Sequence, residues 1–79
     1  MKYGILLEKI MELDFPDGYY YAHIPSIGLT THGQGIEGAM DAARDLLALW
    51  IEEKIENNEY VPSPKEFFYS VLELEEYAI

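Results

Sequence analysis

The chain has 79 residues, of which 49% are apolar, and it carries a net charge of −10. Its length and apolar content predict one small folded domain, residues 1–79, rather than a disordered chain. Fifteen Asp and Glu side chains face only five Lys and Arg. Because nucleic acids are bound largely through Lys and Arg contacts to phosphate, this composition excludes them as direct ligands and disfavours anionic membranes. It favours a basic protein as partner.

The first thirteen residues, MKYGILLEKIMEL, contain Glu8, Lys9 and Glu12, and this is unlike a secretory signal peptide. No run approaches the roughly 18 apolar residues that span a membrane. The absence of cysteine excludes disulfides and thiolate metal sites. Together these features predict a cytoplasmic protein.

The segment Lys2–Leu13 fits two periodicities. Its apolar residues alternate, broken only by Lys9, which is typical of a strand, although several also satisfy helical spacing. The following stretch DFPDG, residues 14–18, is rich in turn residues, and the aromatic run Tyr19–Ile24 beyond it has strand character. A hairpin accounts for both runs, so we predict that the first segment is a strand.

Pro25 and Gly28 predict a turn after the second strand, and Leu29–His32 predicts a short third strand. From Ile36 to about Asn57 the apolar residues recur with helical spacing, which predicts one long amphipathic helix. Asn57–Asn58 is a suitable stop, because Asn tolerates the left-handed conformation found after helix ends.

The apolar face of this helix is expected to pack on one face of the sheet. Its members are Ile36, Ala39, Met40, Ala43, Leu46, Leu47, Trp50 and Ile51. After the proline-containing stretch YVPSP, the run Phe67–Leu74 predicts a fourth strand. The predicted fold class is therefore α+β, with order β-β-β-α-β: a three-to-four-stranded, mainly antiparallel sheet with one long helix on one face.

The order of these motifs resembles the HicB-like antitoxin family. The resemblance lies in a Gly-Tyr-Tyr-x-Ala-x-x-Pro strand, a Gly-containing turn, a short strand and a Leu/Ala-rich helix ending before x-Pro-x-Pro. The matching residues are Gly18, Tyr19, Tyr20, Ala22, Pro25, Gly28, Gly33, Ala39, Ala43, Leu47, Glu52, Pro62 and Pro64. The resemblance implies a partial ribonuclease-H-like fold that binds a small basic, mRNA-cleaving (HicA-like) toxin and covers its active-site histidine.

Three features differ from the family pattern. Many members carry a second, DNA-binding domain, and no segment here resembles one, so repression of an operon is not expected. The turn between Pro25 and Gly33 is one residue shorter than the usual Pro-Asp-Leu-Pro-Gly form. Gln34–Gly35 replaces the usual Asp-Thr at the helix start, which predicts a weak N-cap.

Two surfaces are candidates for partner binding. On the second strand the small Ala22 indicates that Tyr20, Ala22 and Ile24 face the helix, which places Tyr19 and Tyr21 on the opposite face. There they either pack on cross-strand neighbours such as Phe67 or Tyr69 or form an interface. Because one helix covers only one sheet face, this side predicts a homo-oligomer or partner contact, with a dimer the favoured oligomer.

The second surface is an acidic stripe on the helix, opposite its apolar face. It consists of Glu37, Asp41, Asp45, Glu52 and Glu56, with Leu49 beside it. Like charges four residues apart slightly destabilise a helix, so the stripe does not serve the helix itself. It is either a solvated face or a docking strip for Lys and Arg of a basic toxin. Asp41, Asp45, Leu49 and Glu52 are the candidate contacts.

Catalytic, cofactor and metal sites are not predicted. His23 and His32 have no obvious nucleophile partner, and their separation matches no compact metal motif, so packing or surface roles are expected. Two-metal nuclease chemistry would need converging carboxylates, whereas the strands offer only Glu8, Glu12 and Glu73. We therefore expect a non-enzymatic, antitoxin-like module. The alternatives are a stand-alone structural or regulatory homo-oligomer and, more remotely, a small-ligand binder using the loop Ser26–Gly35.

Overall fold

The computed structural model describes residues 2–61, which form a three-stranded sheet followed by one helix. Strand β1 spans Leu6–Lys9, β2 Tyr19–Ile24 and β3 Leu29–Gln34, and helix α1 spans Gly35–Glu56. The strands lie in the order β1-β2-β3 and are antiparallel. This confirms the α+β class and the β-β-β-α order. The predicted fourth strand, Phe67–Leu74, lies outside the described residues.

Two of the strands differ in length from the prediction. β1 is shorter than the alternating segment, because ladder pairing ends at the Lys9–Tyr20 pair and the chain then enters the turn before β2. One further hydrogen bond, from the Ile10 N–H to the Tyr19 carbonyl oxygen (2.9 Å), closes this hairpin. β3 extends two residues past His32, because its pairing with β2 continues to Gln34 opposite Tyr19.

The core lies between β2 and the first half of α1. Ala22 and Ile24 from the sheet and Ala39 and Ala43 from the helix are at most 1% exposed. This confirms which face of β2 meets the helix. The small alanines let helix and sheet approach closely, and partly buried side chains surround them: Tyr3, Ile5, Tyr20, Ile27, Leu46 and Leu47.

The prediction that Ile36 packs on the sheet was wrong, since this side chain is 53% exposed. The first turn of α1 instead contacts β3 directly, backbone against backbone. A Cβ placed on Gly33 would lie 2.4 Å from the carbonyl carbon and oxygen of Gly38 and 2.6 Å from the Ala39 nitrogen. Only glycine fits this position, and the contact leaves no space under the first turn for a large side chain.

The helix ends differ in how they are capped. Gln34 makes no side-chain capping hydrogen bond, as its sequence predicts, and Gly35 adopts a positive φ of 70° at the turn from β3 into α1. The Gly35 N–H donates instead to the Gly18 carbonyl oxygen at 2.7 Å. The helix start is therefore tied to the turn that precedes β2.

The C-terminal end of α1 confirms the predicted stop. Asn58 has a left-handed φ of 55°. Its N–H donates to the Ile55 carbonyl oxygen (3.1 Å), and the Glu59 N–H donates to that of Lys54 (2.8 Å). These two bonds form the Schellman pattern that closes many helices.

Substitution at Gly33 and Gly38 tests the helix–strand contact. Gly33→Ala forces the backbones of β3 and α1 apart and is expected to lower the free energy of unfolding by about 1–3 kcal/mol. A Cβ on Gly38 lies at an ordinary 3.6 Å from its nearest neighbour. Gly38→Ala is therefore expected to be neutral or to stabilise by up to about 1 kcal/mol, because alanine favours helix. Urea unfolding followed by circular dichroism measures both, and equal effects would contradict the contact.

Candidate partner-binding surfaces

The two surfaces predicted from the sequence lie on opposite sides of the sheet. α1 packs on the face formed by Tyr20, Ala22 and Ile24, so its acidic stripe points away from the sheet on that side. Tyr19 and Tyr21 belong to the other face, which we call the far face. Its residues around the tyrosines are Glu8, His23, Thr30 and His32.

The candidate residues of the acidic stripe are all exposed. Leu49 is 63% exposed, an unusual value for a leucine on a helix, and it lies beside Glu52 in a shallow depression with Glu53, Ile55 and Glu56. Asp41 is not a free charge, because Arg44 donates to its carboxylate at 2.8 Å. Within residues 2–61, Asp45 and Glu52 have no ion-pair partner. These two residues therefore carry the uncompensated charge of the predicted contact set.

Aromatic rings cover one end of the far face. Phe15, from the turn before β2, lies between Tyr19, Tyr21 and His32, with ring centroids 5.3–6.1 Å apart. Two of these contacts are edge-to-face, which is a favourable geometry for aromatic pairs. The cross-strand partners expected from the sequence, Phe67 and Tyr69, lie outside the described residues. Phe15 was not predicted, because periodicity does not show where a turn residue folds.

A polar network crosses the three strands beside these rings. His23 Nε2 lies 2.8 Å from Glu8 Oε1, and His23 Nδ1 lies 2.9 Å from Thr30 Oγ1. The sheet register explains the arrangement, because Thr30 is directly opposite His23 and Glu8 is diagonal to it. Both ring nitrogens are satisfied, which fixes the ring plane.

Tyr21 interacts with several carboxylates on the far face. Its hydroxyl donates to Glu12 Oε1 at 3.2 Å, across the turn that also carries Phe15. Burial and the negative charges of Glu12, Asp14 and Glu8 raise the pKa of the Tyr21 phenol. The hydrogen bond to Glu12 raises the pKa further, because it stabilises the protonated form. Three carboxylates thus act on one ring.

No family model, curated protein or solved structure matches this chain. Among residues 2–61, no helix has an apolar stretch long enough to cross a membrane. In the same part of the chain, no three His, Asp or Glu side chains are grouped closely enough to hold a metal ion. The surfaces described above must therefore be interpreted from their own chemistry.

Titration of Tyr21 tests the far-face electrostatics. Glu12→Gln removes one negative charge, so the pKa of Tyr21 is expected to fall toward 10.0, its ordinary value. Because the folded-state pKa is raised, the stabilisation from Tyr21 is complete below the unfolded pKa and is lost as pH rises through the folded value. The Cζ chemical shift of Tyr21 between pH 8 and 12, recorded by NMR, measures the change.

Asp45→Asn on the opposite side of the sheet provides the matched charge control. It should leave the Tyr21 titration unchanged, and an equal response to both substitutions would contradict the local origin of the shift.

Proposed function

We propose that this chain is a cytoplasmic, HicB-like antitoxin module that neutralises a small basic, mRNA-cleaving (HicA-like) toxin by covering its active site. Support for the family comes from the positions of the matching residues. Ala22, Ala39 and Ala43 form most of the buried core, and Gly33 makes the helix–strand contact. The resemblance therefore rests on residues that the fold requires.

Support for a basic partner comes from one observation, the exposed and largely uncompensated acidic stripe. Asp45 and Glu52 form no ion pair within residues 2–61, and Leu49 presents an exposed apolar surface between them. Charged residues at an interface rim mainly accelerate association, whereas apolar contacts hold the complex. The stripe with Leu49 supplies both kinds of group.

The partner itself is sought beside the gene for this chain. We expect the adjacent gene to encode a small basic protein whose expression arrests growth and cleaves mRNA. Co-expression of this chain should restore growth, and the purified chain should stop cleavage in vitro. If the neighbouring product binds but retains full mRNA cleavage in the complex, the proposed neutralisation is wrong.

Charge reversal tests the role of the stripe. The double variant Asp45→Lys/Glu52→Lys is expected to slow association with the toxin about tenfold at low salt. It should also flatten the dependence of the association rate on ionic strength. Stopped-flow fluorescence at several salt concentrations measures both effects. Asp41 is left intact, because its substitution would also disrupt the ion pair with Arg44.

Two controls accompany this experiment. The neutral variant Asp45→Asn/Glu52→Gln should show a smaller effect in the same direction. Asp17→Lys, an exposed reversal in the turn before β2, changes the net charge without altering the stripe. If the association rate falls as much per reversed charge in Asp17→Lys as in the double variant, the stripe does not steer association beyond the effect of net charge.

The alternative function, a stand-alone homo-oligomer, is favoured by exposed apolar and aromatic side chains on the second half of α1 and just after its end. Leu49 and Ile55 are each 63% exposed, and Tyr60 is 80% exposed. Burial of such side chains stabilises an interface between copies.

Sedimentation equilibrium at micromolar concentration tests self-association. We expect a dimer rather than the 9.1 kDa monomer, and we expect Leu49→Asp to shift it toward the monomer. Asp45→Asn serves as the control, since it leaves the apolar surface intact. A wild-type chain that sediments as a monomer would contradict the oligomer. A stable dimer that inhibits no toxin would favour the alternative function.

A further inference from the structure

The far face combines aromatic rings with carboxylates. Tyr19, Tyr21 and His32 are grouped around Phe15, and Glu8 and Glu12 hydrogen-bond to neighbouring side chains of the same face. An electron-rich ring beside a carboxylate attracts cations from two directions, through the π face and through the anion.

The rings are held in place before any ligand arrives. The Phe15 and Tyr21 rings are 6.0 Å apart at an interplanar angle of 67°, Glu12 accepts the Tyr21 hydroxyl hydrogen, and the Tyr21 and His23 ring centroids are 5.8 Å apart. His23 is fixed in turn by Glu8 and Thr30. Preorganised side chains lose little conformational entropy on binding, so this surface is suited to recognition.

The potential at Tyr21 is negative. Glu8, Glu12 and Asp14 all act on this ring, and the basic side chains within residues 2–61 lie elsewhere. Lys9 is opposite Tyr20 on the helix side of the sheet, Arg44 and Lys54 are on α1, and Lys2 precedes β1 by four residues. A phenol that donates to a carboxylate gains electron density in its ring, which strengthens its attraction for a cation.

Charge also distinguishes between the candidate occupants of this face. A second copy placed face to face would bring Glu8, Glu12 and Asp14 close to their own counterparts, and such juxtaposed like charges are costly. Nucleic acid is repelled for the same reason. A cationic side chain of a basic protein encounters neither penalty. Arginine fits better than lysine, because its planar guanidinium stacks on an aromatic ring while donating to a carboxylate.

We propose that the far face binds an arginine side chain of a basic protein partner, stacked on Tyr21 and paired with the carboxylates of Glu8 and Glu12. The inference rests on the proposed function only in identifying that basic partner as the toxin. It adds a second holding contact, on the far face, to the apolar contact of Leu49, whereas the charges of the acidic stripe accelerate the encounter.

A tetra-arginine peptide is the direct probe, with tetra-lysine and tetra-glutamate for comparison. We expect the ring resonances of Tyr21 to shift on titration with tetra-arginine, less with tetra-lysine and not with tetra-glutamate. Tyr21→Leu and Glu12→Gln should each weaken tetra-arginine binding at least fivefold, measured by NMR at low ionic strength.

Matched substitutions outside the far face provide the controls. Tyr60→Leu removes an exposed ring, and Glu59→Gln removes an exposed carboxylate after the end of α1, and each should change peptide affinity less than twofold. If Tyr21→Leu does not fold, Tyr21→Phe keeps the ring and removes only the hydrogen bond to Glu12, so it should weaken binding. Equal losses in far-face and control variants would overturn the proposal, because they would indicate only the general attraction of an acidic protein.

The toxin complex separates this inference from the proposed function. If Glu12→Gln raises the toxin dissociation rate, the holding contact is supported. If Glu12→Gln and Tyr21→Phe leave toxin binding intact while the stripe variants weaken it, the far-face contact is wrong and the antitoxin function stands. If tetra-arginine binds at Tyr21 but no toxin is neutralised, the arginine site stands and the antitoxin function is wrong. A dimer that dissociates in Tyr21→Leu would assign the face to a second copy and overturn the proposal.

Discussion

The arrangement of the described structure depends on the contact between Gly33 and the backbone of Gly38 and Ala39. It brings the helix close to β3, and small side chains, Ala22, Ala39 and Ala43, occupy most of the space between helix and sheet, together with Ile24. The core is consequently thin. Large apolar residues such as Leu49 and Ile55 lie on the surface. A small domain with a thin core presents much of its apolar surface to partners.

The same contact determines which surfaces are available for binding. Within residues 2–61 no helix covers the other sheet face, and the strand side chains there are aromatic rings, carboxylates and histidines beside Leu6, Thr30 and Gln34. Aromatic rings supply contact area, and carboxylates supply charge, so the far face differs in character from the purely charged acidic stripe. Two surfaces of different chemistry on opposite sides suit separate stages of one association, or two different partners.

Much of this fold can be derived from the sequence, and the exceptions have physical reasons. The bounds of β2 and the left-handed Asn58 follow from local chemistry, because strand periodicity and cap conformations are properties of a few neighbouring residues. The exposure of Ile36 does not follow from local chemistry, because it depends on a backbone contact between the helix and a strand residue. Tyr19 and Tyr21 could be placed on the far face by alternation alone. Glu12 and Phe15 could not be placed there from the sequence, because their position depends on how a turn folds back over the sheet.

The hydrogen bond from the Gly35 N–H to the Gly18 carbonyl oxygen joins the start of α1 to the turn that carries Glu12 and Phe15. Because the helix start has no side-chain cap, this bond helps to anchor it, beside the close contact of Gly33 with Gly38 and Ala39. Opening of the turn therefore releases the helix start, and the two segments behave as one cooperative unit in local unfolding. A ligand that orders Glu12 and Phe15 is accordingly expected to slow amide exchange at Gly35 without touching any helical residue. The far face and the helix start are thus linked mechanically through the turn before β2.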